Sequence, residues 1–209
     1  MRVALGILNG ALFAVYPFAV YFGLTRLSAR GVGLVLAGLL LPSLLLRVRG
    51  TKREHLSAVL PLPLTVLALV LIGAAFDDAR LVMSLPVVIS TVLLLHFGGS
   101  LRSVPIVERF ARMQSESLSM AQVRYCRTVT MVWCVFFVLN GSTAALLALF
   151  APLAVWAAYT GAGAYVLMGL LGATEYIVRK ARFREFGAGF HDRLLARIFP
   201  PRVTDASVL

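Results

Sequence analysis

Acidic side chains are scarce in this sequence, with nine Asp and Glu in 209 residues. Charge of either sign is thin, at 14%, where an average soluble chain carries about 25%. Too little charge is present to clothe a water-soluble fold of this length. Cysteine is equally sparse. Cys126 and Cys134 stand eight apart in one expected helix, about 12 Å along its axis, and a disulfide needs Cα atoms within about 7 Å. That excludes a bridge between them. Neither has a partner at zinc-ligand spacing, so both read as small apolar packing residues. Catalytic patterns are also missing. There is no HExxH pair, no phosphate loop and no histidine followed by aspartate at acyltransferase spacing. An enzyme needs a positioned set of acid, base or nucleophile. A non-catalytic protein without cofactor or metal is therefore expected.

What the chain does have is apolar side chains, 60% of it, and a mean hydropathy of +0.89. A core of this size cannot hide that much apolar surface from water, so lipid is the expected solvent. The formal net charge is +11. Its Lys and Arg sit between apolar runs rather than on one solvated face, and no nucleic-acid motif accompanies them. They read as topology signals and contacts to anionic headgroups, not as a nucleic-acid surface.

A spanning helix needs about 20 mostly apolar residues. Stretches without Asp, Glu, Lys or Arg place spans at about 3–25, 31–46, 56–76, 81–101, 128–149 and 153–175. The last two come from one long run that divides at Phe150-Ala151-Pro152, where proline stops a helix. The expectation is an all-α, polytopic membrane bundle of about six transmembrane helices, one domain over 1–182. A basic amphipathic tail comes after it at 183–209. The first segment exceeds the apolar length of a secretory signal and lacks a good cleavage site, so a retained helix is expected. The second is short and contains Pro42. Tilting, local thinning or a re-entrant hairpin with the first would accommodate it. Five spans plus a re-entrant or interfacial N-terminal segment is the alternative.

With both termini inside, 17 of the 20 Lys and Arg fall on the cytoplasmic side, leaving only Arg26, Arg30 and Arg80 outside. The positive-inside rule fixes the orientation accordingly. Arg47, Arg49, Lys52, Arg53, Arg109, Arg112, Arg193 and Arg197 are the expected headgroup contacts. Two stretches look like interfacial helices. One covers about 103–114, with Ser103 as N-cap, Ile106, Val107, Phe110 and Met113 on one face, and Glu108, Arg109 and Arg112 away from it. It either lies in the headgroup layer or packs on the cytoplasmic end of the bundle. The other carries Phe190, Leu194 and Ile198 at four-residue spacing, flanked by Arg193 and Arg197.

Polar groups at membrane depth are costly and so mark candidate sites. Asn9 lies within Gly6-xxx-Gly10-xxx-Ala14, a spacing that lets helix backbones approach. It reads as interhelical glue, with a ligand site as the alternative. His96 precedes Gly98-Gly99-Ser100 and reads as a structural histidine, or else a proton relay. Asn140-Gly141-Ser142-Thr143 lies mid-helix, where glycine permits close packing or a kink. Glu175 pairs with Arg179 at i,i+4, with a substrate or proton role as the alternative. Asp77 and Asp78 read as a solvated outer turn.

From about Val104 to Lys180 the chain resembles the intracellular septation protein A (YciB) family, small polytopic inner-membrane proteins of Gram-negative bacteria. The residues that carry the resemblance are Ile106-Val107-Glu108-Arg109-Phe110 and, after a polar linker, Val132-Trp133-Cys134-Val135-Phe136-Phe137-Val138-Leu139-Asn140-Gly141. The family shows a similar Trp-x-x-Phe-Phe-x-x-x-Gly run opening its penultimate helix, then a short turn and a final helix ending in basic residues. Tyr16-Pro17-Phe18 also resembles its N-terminal apolar-proline stretch. Two departures stand out: Ala14 replaces an acidic residue, and the basic tail is longer. The resemblance implies a divergent relative with a role in envelope upkeep, septation or lipid-linked synthesis. It supplies no catalytic residues. Membrane-protein partners or a homo-oligomer are expected alongside lipid. A small transporter is the first alternative, requiring Asn9, Asn140 and Glu175 to line one cavity. An accessory role in lipid-type biosynthesis is another. An intramembrane lipid enzyme would need His96, Glu175 and an arginine to cluster.

Overall fold

In hydrocarbon, backbone N–H and C=O groups find no water, so a chain this apolar must satisfy them internally, as helices do. The computed structural model of the protein describes residues 17–50, 61–113, 117–184 and 198–199, and every regular element among them is helical. In chain order, α1 covers residues 17–26, α2 Ala29–Gly50, α3 Pro61–Phe76, α4 Ala79–Met83 and α5 Leu85–Ser100. Then come α6 Ile106–Arg112, α7 Met120–Phe150, α8 Leu153–Ala158 and α9 Ala164–Phe183. A π-helical turn, Tyr159–Gly163, joins α8 to α9.

Among the described residues three helical stretches are long and apolar enough to cross a membrane: Ala79–Ser100, Met120–Phe150 and Leu153–Phe183. They overlie the expected segments at 81–101, 128–149 and 153–175. Ala29–Pro42 and Leu64–Phe76 are shorter apolar helices on the second and third segments. The first segment is described only from residue 17, and 56–60 of the third lies outside the described residues. Pro42 does not interrupt α2, which continues to Gly50 as one helix of 22 residues, about 33 Å long.

Helix ends obey local chemistry. Ser119 opens α7 with a reciprocal capping box, its hydroxyl accepting from the Gln122 N–H while the Gln122 side chain accepts from the Ser119 N–H. The helix stops at Phe150, Ala151 is extended, and Pro152 caps α8, as the proline break requires. The acidic turn is structured rather than merely solvated. Asp78 caps α4 by accepting from the Arg80 N–H at 2.9 Å. Asp77, at φ 54°, accepts from the Arg30 N–H at 2.7 Å and ties this turn to the start of α2.

The most extensive helix pairings are α5 with α7 and α2 with α3. A Cβ on Gly33 of α2 would stand 2.7 Å from Ala74 Cβ and 3.0 Å from the Val70 carbonyl oxygen, so these two backbones meet where only glycine fits. Phe97, Trp133, Phe136 and Phe137 form an edge-packed aromatic group between α5 and α7, with centroids 5.1 to 6.2 Å apart. Trp156 is fully buried among Val20, Val32, Val82 and Met83. Elsewhere the helices turn large apolar side chains outward, among them Leu34, Leu39, Leu95, Leu139, Leu146 and Leu170. α9 buries no residue at all. Such a surface is stable only against hydrocarbon.

Candidate functional site

Asn140, two thirds of the way along the apolar helix α7, bonds side chains of two other elements. Its Nδ2 donates to Ser90 Oγ of α5 at 3.1 Å, and its Oδ1 accepts from the Tyr159 hydroxyl at 3.0 Å. One amide thus joins α5, α7 and the π turn. Ser90 is buried. The approach is possible because of Gly141, where a Cβ would stand 3.1 Å from Ser90 Cβ. The π turn inserts an extra residue into the last long helix and rotates α9 relative to α8. Within it, the Thr160 hydroxyl donates to the Trp156 carbonyl at 2.8 Å. Gly161 lies under the Phe18 ring, whose Cε2 would be 2.6 Å from an added Cβ. The Trp156 indole N–H has no hydrogen-bond partner among the described residues.

Ser90 and Tyr159 are the members of this knot that the sequence reading passes over. The signal was present: hydroxyls in the middle of apolar runs need partners as much as amides do. Their pairing with Asn140, across 50 residues for Ser90 and 19 for Tyr159, had no local signature.

A second group lies at the end of the bundle that carries α6. The Tyr125 hydroxyl donates to the Glu175 carbonyl at 3.2 Å. Glu175 Oε1 stands 3.5 Å from Arg179 Nε, close enough for attraction but not aligned as a hydrogen bond. Arg182 lies 5.8 Å from the Tyr125 ring centre, and Arg179 5.9 Å from that of Tyr176. The basic groups here rest on aromatic faces.

α6 corrects two expectations. Pro105, not Ser103, occupies its cap, and the Ser100 hydroxyl at the end of α5 accepts the Ile106 N–H at 3.0 Å. Proline fixes the entry angle, and the nearby α5 terminus supplies the acceptor. Glu108 is not on the outward face either. It is 4% exposed and takes both Arg112 Nε and Nη2 at 2.8 and 2.6 Å. Phe110 and Met113 are 56% and 80% exposed. A seven-residue helix turns a paired carboxylate inward because Arg112 neutralises it. Phe110 and Met113 then face outward beside Arg109, while Ile106 and Val107 are half-buried.

The other candidates fall apart in space. Tyr125, which bonds Glu175, and Asn140 are 15 residues apart on α7, about 22 Å along the axis. Asn140 and Glu175 therefore do not share a cavity. His96 is exposed on α5, and no contact links it to Glu175. Arg47 and Arg49 fall in the last turn of α2, but their side chains lie outside the description. Asn9, Lys52, Arg53, Arg193 and Arg197 lie outside the described residues, as does the tail stripe apart from Ile198. Cys126 is buried, Cys134 is partly so, and both are free thiols.

No family model, curated protein or solved structure matches this chain.

Proposed function

We propose that the protein is a non-catalytic integral inner-membrane scaffold of the bacterial cell envelope, serving biogenesis or septation through protein and lipid contacts. In this reading the chain makes six crossings with both termini in the cytoplasm. One observation carries the proposal. Both polar ends of Asn140 are consumed in holding α5, α7 and the π turn together, and Glu175 is engaged separately at the basic end. These groups build a frame rather than a transport path.

The working surface of the scaffold is the basic end. Arg102, Arg109, Arg112, Arg124 and Arg127 are exposed there, interleaved with exposed Val104, Phe110, Met113 and Met120. That alternation suits an anionic headgroup layer, with the rings and thioethers reaching the acyl boundary. The septation role rests on the resemblance over Val104 to Lys180. Crosslinking in native membranes with subsequent co-purification and lipid analysis is the direct test. Specific envelope partners should be recovered; a partner-free monomer would overturn the proposal.

A further inference from the structure

A crevice of about 250 Å³ runs between α5 and α7. Val87, Thr91 and Leu94 form one wall, and Val138, Ser142 and Ala145 the other. Successive helix residues turn about 100°, so Ser142 and Asn140 flank Gly141 on opposite sides. The crevice and the polar knot thus lie on either side of the α5–α7 contact. Thr91, Val138 and Ser142 are exposed, so the crevice opens sideways at membrane depth, where hydrocarbon reaches and water does not. The Thr91 hydroxyl donates back to the Val87 carbonyl at 2.9 Å, leaving its methyl group to face the opening.

The phase of α5 says what fills the crevice. α4 and α5 join at Ser84, whose backbone stays right-handed helical, into one apolar stretch over Ala79–Ser100, so Arg80 of α4 and Val87, Thr91 and Leu94 of α5 recur at helical intervals on one stripe. Arg80 is exposed, and among the described residues its guanidinium has no acceptor. The neighbouring Asp78 carboxylate takes the Arg80 backbone N–H instead. Along the axis Val87 lies about 10 Å and Leu94 about 21 Å from Arg80. The hydrocarbon of one leaflet is about 15 Å deep. A phosphate held at Arg80 therefore sends an acyl chain along the crevice as far as the bilayer centre.

We infer that the α5–α7 crevice holds an acyl chain of an anionic glycerophospholipid whose phosphate is bound by Arg80. This site is at the opposite end of the bundle from α6 and does not depend on the scaffold reading. The test uses the full-length protein in mixed phosphatidylcholine and phosphatidylglycerol vesicles, with a photoreactive diazirine on the acyl chain of one lipid at a time. The phosphatidylglycerol probe should label peptides covering 87–94 and 138–145 in preference to the phosphatidylcholine probe. Ala145→Phe, which fills the crevice, and Arg80→Gln, which removes the cation, should each cut that labelling about tenfold. Leu146→Phe, on the adjoining lipid-facing side, should leave it unchanged. Arg80→Gln alters only an exposed side chain, so it decides the matter even where Ala145→Phe fails to fold. Equal labelling by the two probes, labelling that survives Arg80→Gln, or labelling spread evenly over Val135 and Leu146 overturns the inference.

Discussion

Asn140 shows how much one amide can organise where water is absent. Its two ends reach different helices, so deleting it orphans a hydroxyl on each. Asn140→Leu should destabilise the protein by about 1 kcal/mol, the usual size of an interhelical hydrogen bond in a membrane. Tyr159→Phe should cost about as much, for the same reason. Because the two side chains share a bond, the double variant should cost less than the sum of the singles. Reversible denaturation in mixed micelles measures all three; strict additivity would show that the Tyr159–Asn140 contact contributes nothing. Asn140 was legible in the sequence because an amide at membrane depth has few harmless explanations. Its partners were not, since Ser90 and Tyr159 are common residue types brought together only by helix packing.

The helices themselves are held together by close approach rather than by burial from water. In α2 the glycines Gly33 and Gly38 make a matched pair. A methyl group on Gly33 would run into Ala74 and the Val70 carbonyl, and backbone cannot swing aside as a side chain can. Gly33→Ala should therefore cost about 1 to 3 kcal/mol. Gly38 meets nothing within 4 Å, so Gly38→Ala should be neutral or favourable by up to about 1 kcal/mol. Thermal unfolding in detergent separates the two outcomes, and equal effects would mean that α2 and α3 do not meet at Gly33. At α6 the element itself is the device. Its Glu108 side is buried, with the carboxylate held by Arg112, while Phe110 looks outward. In Phe110→Trp protein, lipid brominated near the headgroup should quench the added emission, whereas aqueous iodide should not. The reverse result would place α6 in water.

At the scale of the whole molecule, the proposed orientation rests on the distribution of cations. The described basic end carries Arg102, Arg109, Arg112, Arg124 and Arg127 between α5 and the apolar part of α7, and Arg179, Lys180, Arg182 and Arg184 at the end of α9. The opposite end carries Arg26, Arg30 and Arg80 beside Asp77 and Asp78. Topology reporters fused after Met113 and after Arg184 should report the same, cytoplasmic face, and a reporter in the Asp77–Asp78 turn the other. Reporters after Met113 and Arg184 on opposite faces would break both the orientation and the even number of crossings between them. The surface between the two ends is apolar almost throughout, which is why no soluble state of this chain is expected.

Composition and local order along the chain were enough to set the solvent, the helical class and the breaks. Hydropathy is a sum over residues, a proline removes its own N–H, and a charge deficit is a property of composition, so none of these needs a neighbour in space. That is why the end of α7 at Phe150 and the i,i+4 pair of Glu175 with Arg179 could be read along the chain. Only packing in three dimensions settled which polar groups meet, which face of α6 is buried, and where the π turn falls. Each depends on atoms that different helices bring together. Glu108 turns inward because Arg112 and α7 are both there to receive it, and Tyr159 reaches Asn140 only because a π turn and a glycine let three helices close on one amide.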